Sequence, residues 1–273
     1  GVFDGYESNH ISTAGPDNSN ADLLSIYPIA DQHHGLLAWG KESGEDYDLE
    51  IGVRLLKETF SRLINQSPDS KQAIILNLGD WTHADNSLNM TPRGGNILDV
   101  DGRYFKTITY GVEVMLDVIN MALKKHDTVL VRNIPGNHDP NACVALTVAL
   151  NAFFRNDERV TIDLDPSDFF YHRFGNTLIG ANHGHRLKPV NMAMHMANTR
   201  PEDWGKSKFR YFYFGHIHHK TMKEEGGVIT ESFQTLSAKD AYHAGGGYLG
   251  GRSLTGITIH KDKGEIGRHI VSV

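Results

Sequence analysis

Three features of the 273-residue sequence predict an α/β fold. Strand-length apolar runs alternate with segments of helical periodicity as far as residue 155, strand patterns dominate beyond residue 159, and polar clusters of Asp, His and Asn stand just after five of the predicted strands. A hydrophobic content of 39% is enough to build a core at this length, which excludes fibrous, collagen-like and wholly disordered chains. Residues 1–22 are rich in Gly, Ser, Asn and Asp without apolar periodicity and read as a loose lead-in; 23–273 read as one domain.

The elements follow in order. Leu23–Ala30 is apolar enough for a strand, although Pro28 removes a ladder donor. Leu49, Val53, Leu56, Phe60 and Leu63 recur at helical spacing within Asp48–Ile64, and Ala73–Leu78 is a short buried-strand run. A polar insertion, Trp81–Lys106, precedes a helix over Thr107–Lys125 and a strand over Thr128–Ile134. Pro140 opens a third helix, to Arg155, at the first position where proline is favoured. Strands are then predicted over Phe169–Phe174, Thr177–Asn182, Phe209–Phe214 and Gly227–Phe233, with one helix over Pro189–Asn198 and a closing hairpin over Leu254–Val273 turning near Lys263-Gly264.

Composition narrows the function classes. The longest apolar stretch, Ala142–Phe154, is shorter than the ~20 residues a bilayer span needs, so no membrane role is expected. One cysteine, Cys143, cannot form an intrachain disulfide, and no basic segment followed by an apolar run opens the sequence; a cytoplasmic setting is the expectation. The formal net charge of −6 is concentrated in the first fifty residues, where ten Asp/Glu face a single cation, Lys41. That balance argues against broad, charge-driven adhesion to nucleic acid and leaves room for a local cationic site. Sixteen histidines are the outlier.

The five clusters are Asp31-Gln32-His33-His34-Gly35, Gly79-Asp80, Gly136-Asn137-His138-Asp139, Asn182-His183-Gly184-His185 and Gly215-His216-Ile217-His218-His219. Ligands in open α/β sheets bind beyond the carboxyl ends of strands, so the clusters are candidates to converge. Asp, His and Asn suit divalent metals of intermediate hardness, and alternating pairs such as Asp31/His33 and His216/His218 can aim two side chains at one ion. Singly, each reads as an ordinary polar loop end. In this order they resemble the calcineurin-like metallophosphoesterases, over roughly Leu23–Lys220. The resemblance implies a four-layer architecture of two packed mixed β-sheets flanked by helices. It also implies one metal held by Asp31, His33 and His218 and a second by Asn137, His183 and His216, with Asp80 bridging. His138 becomes the acid that protonates the leaving group; Asp139 reads equally as the group that fixes its tautomer or as a helix N-cap before Pro140. His83, His185, His34 and His219 read as supporting groups around the ligands, and His10, His126, His172, His260 and His269 as ordinary surface or strand residues. The Gly79-Asp80-Trp81-Thr82-His83 run looks most like SbcD-type DNA repair nucleases, although their basic character is not evident here.

Two cations roughly 3.5 to 4 Å apart can hold a bridging hydroxide and neutralise phosphoryl oxygens, which is the chemistry of phosphoester hydrolysis; the nuclease-like Gly79-to-His83 cluster leans the expectation toward phosphodiesters in nucleic acid or nucleotides. A histidine-rich set without thiolate points to manganese first, with iron, nickel or zinc as alternatives. Arg93 in the insertion, Arg186, and Tyr242, Tyr248 and Arg252 in a glycine-rich late loop are candidate substrate contacts through bidentate phosphate binding and base stacking. A phosphomonoesterase and a non-catalytic binding scaffold are the alternatives.

Overall fold

The computed structural model describes His10, residues 12–239, Gly245 and residues 250–273. Along the first half, β1 (Asn20–Ile29) leads to a short α1 (Gly40–Ser43), the long α2 (Leu49–Gln66), β2 (Ser70–Asn77), α3 (Tyr104–Leu123), β3 (Thr128–Asn133), α4 (Pro140–Phe154) and β4 (Val160–Ile162). The second half runs β5 (Phe170–Phe174), β6 (Thr177–Ala181), a 3-10 turn at Pro189–Asn191, α5 (Met192–Thr199), α6 (Pro201–Lys206), β7 (Phe209–Phe214), β8 (Thr221–Glu225), β9 (Val228–Ser232), β10 (Ser253–His260) and β11 (Gly264–Ser272).

The strands form two mixed sheets, ordered β11-β10-β1-β2-β3-β4 and β5-β6-β7-β9-β8. Strand alternation builds the layers. Tyr27 and Ile29 of β1, with Ala73 and Ile75 of β2, face α2, α3 and α4 through Leu56, Phe60, Val118 and Leu150. The intervening Leu24, Ile26, Ile74 and Leu76 meet Ile179, Ala181, Tyr211 and Tyr213 of the second sheet, and this apolar seam binds the sheets together. Leu178, Phe212 and Phe214 turn outward onto Met192 and Met196 of α5 and Trp204 of α6. The result is helix, sheet, sheet, helix: the two packed mixed sheets flanked by helices that the sequence implied.

Differences from the sequence reading have local causes. β4 spans three residues, too few to show a period; β8, at a sheet edge, carries Lys223, Glu224 and Glu225, the charge that edges use to discourage further pairing. Met192–Thr199 and Pro201–Lys206 form two helices where one was expected. Pro28 is tolerated because pairing with β10 ends at Ile26, leaving that part of β1 paired only to β2. β1 starts at Asn20, and the preceding chain is tied down where Arg159 donates to the Thr13 carbonyl and Ser19 Oγ donates to Asp127 at 2.7 Å. Among the described residues, no helix is long and apolar enough to cross a membrane.

Candidate metal centre

The five clusters emerge at one end of the two sheets, after β1, β2, β3, β6 and β7. Their backbones are strained at the ligand positions: Asp31, His33, Asp80, His216 and His218 all have φ between 47° and 69°, in the left-handed region that non-glycine residues seldom occupy. Such strain persists where surrounding contacts over-determine it. The His216 N–H donates to Asp31 Oδ1 and Oδ2 at 3.0 and 2.9 Å, and the His138 N–H donates to Asp80 Oδ1 at 2.8 Å. Two glycines permit the close approach. A Cβ on Gly136 would lie 2.0 Å from Asp80 Oδ1, and one on Gly79, at φ 97°, would lie 2.7 Å from His183 Nδ1.

Three groups of potential ligands result, each with its donor atoms within 4.8 Å of one another: Asp31, His33 and His218; Asp80, His183 and His216; and His33, His83 and His138. Hydrogen bonds assign the rings. His183 Nδ1 lies 2.7 Å from the Leu78 carbonyl and must donate to it, so the Nε2 lone pair faces inward, 3.0 Å from Asn137 Oδ1 and 3.2 Å from Asp80 Oδ2. Three acceptors therefore converge on one point, which only a proton or a cation can satisfy. Asp80 Oδ2 is also 3.9 Å from His33 Nε2, placing this one oxygen between the two clusters. His33 Nε2 is 3.2 Å from His218 Nε2, and its Nδ1 is 3.2 Å from His83 Nδ1. The donor chemistry of the clusters, buried carboxylates and imidazoles with the Asn137 amide oxygen beside His183, suits divalent cations.

Burial dominates the electrostatics. It raises Asp31 above the ordinary carboxylate range, helped by the Asp80 charge and opposed by His183. Burial also opposes ionisation of Asp80, yet the His183 charge and hydrogen bond hold this carboxylate well below its usual range. His183 is raised in turn: burial disfavours its charge, but Asp80 and Asp31 outweigh it. His33 is kept neutral by burial and by the neighbouring His138 and His218.

Several candidate residues take different places from those expected. Asp139 neither caps α4 with its side chain nor hydrogen-bonds the His138 ring. Its oxygens accept from the Gly136, Asp80 and Trp81 N–H groups at 2.8, 3.1 and 2.7 Å, clamping the β2 and β3 loops together. The tautomer-fixing contact falls to the His83 carbonyl, 2.8 Å from His138 Nδ1. The α4 cap comes from the insertion, where Asp85 Oδ1 accepts from the Asn141 and Ala142 N–H groups at 2.9 and 2.8 Å. His185 gives its Nε2 lone pair to Arg186 Nε at 3.0 Å, which leaves His183 as the histidine of its loop in the cluster. His34 is buried edge-on against Trp81 with both ring nitrogens lacking a hydrogen-bond partner, and burial pushes it down to about 3. His126, read as ordinary, is fully buried between Tyr27 and Ser70.

A cavity of about 540 Å³ opens over the clusters. It is lined by His33, Asp80, His83, Asn137, His138, His216 and His218 of the clusters together with Leu36, Thr91, Asn96, Ile97 and Leu98, none of these last five anticipated. Arg93 is exposed and does not line it. Arg186 pairs with Asp168, and Arg252 is committed to Glu45 and the Leu236 carbonyl. Tyr242 and Tyr248 fall outside the described residues. Thr235 and Ser237, whose hydroxyls donate to the Asp31 carbonyl, were also missed; as short polar side chains after β9 they carry no spacing signal.

No family model and no curated protein matches the sequence. Among solved structures, the chain is similar to an archaeal phosphodiesterase, at 12% identity over 91% of this chain and 99% of that one, with a TM-score of 0.45. It is also similar to a conserved protein of Streptococcus pneumoniae described as a predicted phosphoesterase, at 11% identity, 92% and 98% coverage and a TM-score of 0.38. A third is zinc-bound Vps29 of Entamoeba histolytica, at 13% identity, 91% and 98% coverage and a TM-score of 0.37.

Proposed function

We propose that this chain is a calcineurin-like metallophosphoesterase that hydrolyses phosphodiester bonds, in nucleotides or nucleic acid, at a dinuclear site. The observation that carries the reading is the placement of Asp80, whose Oδ1 is consumed by the His138 N–H while Oδ2 stands between His183 Nε2 and His33 Nε2. Asp31, His33 and His218 would hold one cation and Asn137, His183 and His216 the other, with Asp80 shared. Cations bound there supply Lewis-acid charge to the phosphoryl oxygens and lower the pKa of a water. With Nδ1–H committed to the His83 carbonyl, His138 has Nε2 left to carry the proton that the leaving oxygen takes. A water oxygen bonds to phosphorus and its proton passes to solvent, the ester P–O bond breaks with its electron pair on the leaving oxygen, which takes the His138 proton, and a phosphomonoester and an alcohol are released, His138 regaining its proton from solvent. The mixed oxygen and imidazole set favours manganese, then iron, nickel or zinc. The Gly79-to-His83 run supports a relation to SbcD-type nucleases, and the single cysteine a cytoplasmic setting.

The test is elemental analysis of protein reconstituted with manganese, followed by comparison of bis-p-nitrophenyl phosphate with p-nitrophenyl phosphate. About two ions per chain and a higher kcat/KM on the diester are expected. Preference for the monoester would replace this reading with a phosphatase, and full metal occupancy without turnover would replace it with a binding scaffold.

A further inference from the structure

The part of the cavity lining that comes from the insertion is held in place by its own backbone hydrogen bonds. The insertion folds into a hairpin-like loop: Met90 and Ile97 pair as an antiparallel bridge, the Thr91 N–H donates to the Asn96 carbonyl at 2.9 Å, and the Leu98 N–H donates to the Asn89 carbonyl at 2.9 Å. Its base is tied to the loop that carries Asp31 and His33, through the Leu36–Val100 bridge, Leu37 N–H to the Asp99 carbonyl at 3.1 Å and Asp101 N–H to the Gly35 carbonyl at 2.8 Å. The hairpin is therefore held at a set distance from the candidate ligands.

Its chemistry is neutral. No Lys or Arg is among the described residues lining the cavity; Leu36, Ile97 and Leu98 give it an aliphatic face, and Asn96 and Thr91 give it an uncharged polar edge. Thr91 Oγ1 already accepts from the Asn96 N–H at 3.0 Å, so its hydroxyl proton remains to donate, while the Asn96 amide offers both a donor and an acceptor. Ile97 is 86% exposed, a large apolar side chain at the cavity mouth that the described chain leaves uncovered. A polymer threaded through such a site would need cations for the phosphates flanking the scissile one. Of the cations that the sequence offered as substrate contacts, Arg186 and Arg252 are already paired with Asp168 and Glu45, and Arg93 does not line the cavity. The volume of about 540 Å³ falls within the range of small-ligand sites.

Resting on the phosphodiesterase reading above, we propose that the 88–98 hairpin is a specificity subsite for one uncharged, ring-bearing organic group of nucleoside size, so that the substrates are small nucleoside phosphodiesters rather than nucleic acid strands. The ring lies against Ile97 and Leu98, and its hydrogen-bonding edge meets Asn96 and Thr91.

The test pairs two diesters that share a leaving group, thymidine 5′-(p-nitrophenyl phosphate) and methyl p-nitrophenyl phosphate, on wild-type protein and on Ile97→Asp and Asn96→Ala. Both positions are exposed, and neither is a candidate ligand. The nucleoside ester should have a kcat/KM at least ~10-fold above the methyl ester, and Ile97→Asp should lower the nucleoside ester more than the methyl ester, removing most of that ratio. Titration calorimetry of thymidine 5′-monophosphate against methyl phosphate on the manganese-loaded protein provides a readout without turnover, with the nucleotide binding ~10-fold tighter in the wild type only. Equal affinities, or an Ile97→Asp variant identical to wild type, would overturn the subsite. Cleavage of a single-stranded oligonucleotide with a kcat/KM above that of the nucleoside ester would overturn the small-substrate assignment. A preserved binding difference with no hydrolysis of either ester would support the subsite and sink the phosphodiesterase reading instead.

Discussion

Asp80 and His138 sit 58 residues apart and share a hydrogen bond, yet their chemistry separates them. Asp80 Oδ2 faces both donor clusters, so Asp80→Asn should lower manganese content at both sites. His138→Ala should keep its metal and lose the ~100 to 10,000-fold in turnover typical of a missing general acid. Elemental analysis beside kcat measurements distinguishes them, and equal metal loss in the two variants would reverse the assignment. Protons give a second handle. Asp31 and His183 are both raised, so near neutral pH each holds a proton when no cation is bound, and cation binding must release them. Affinity should therefore rise with pH. Titration calorimetry of manganese at pH 7, in buffers of different ionisation enthalpy, should report release of about one or two protons per chain; a buffer-independent heat would sink the idea.

At the scale of elements, the site depends on loops that cap one another. Asp85, from the insertion, accepts from the first N–H groups of α4, which Asp139 leaves uncapped while it clamps the β2 and β3 loops. Removing an N-cap acceptor costs about 1–2 kcal/mol. Asp85→Ala should lower the unfolding free energy by that much, read as a fall in the urea midpoint at an unchanged m value; an unmoved midpoint would mean that α4 is satisfied by other groups. The same contacts explain what was legible in the sequence. Helices α2, α3 and α4 and strands β1, β2, β3, β6 and β7 announced themselves by period because each buries one face or both. The insertion showed no period because its order comes from bridges to residues far along the chain, such as Leu36 to Val100.

For the whole molecule, His126 links β1, β2 and the segment after α3. The Tyr27 hydroxyl donates to its Nε2 at 2.9 Å, and its Nδ1–H donates to the Ser70 carbonyl at 2.9 Å. Burial pushes its pKa down to about 4, against 6.5 for the free side chain. Because the unfolded chain binds this proton first, the stability contributed by neutral His126 is complete above pH 6.5 and is lost as pH falls toward 4. Wild-type protein should lose up to about 1.4 kcal/mol per pH unit in that window relative to His126→Gln, which has no proton to gain. Parallel stability curves from urea titrations at several pH values would refute this.

The identity and order of the candidate ligands were determined by the sequence alone, because donor chemistry belongs to residue types and the clusters follow strands whose apolar pattern is local. Why glycine stands at 79 and 136 is visible only in the fold, where a Cβ would meet His183 or Asp80 from another loop. Only the tertiary structure decided that the His83 carbonyl orients His138, that Asp85 caps α4, that Asp139 clamps two loops and that Ile97 lines the same cavity as the clusters. Each of these contacts joins separate loops through backbone atoms or single side chains, and such pairings leave no period or spacing in the sequence by which to find them.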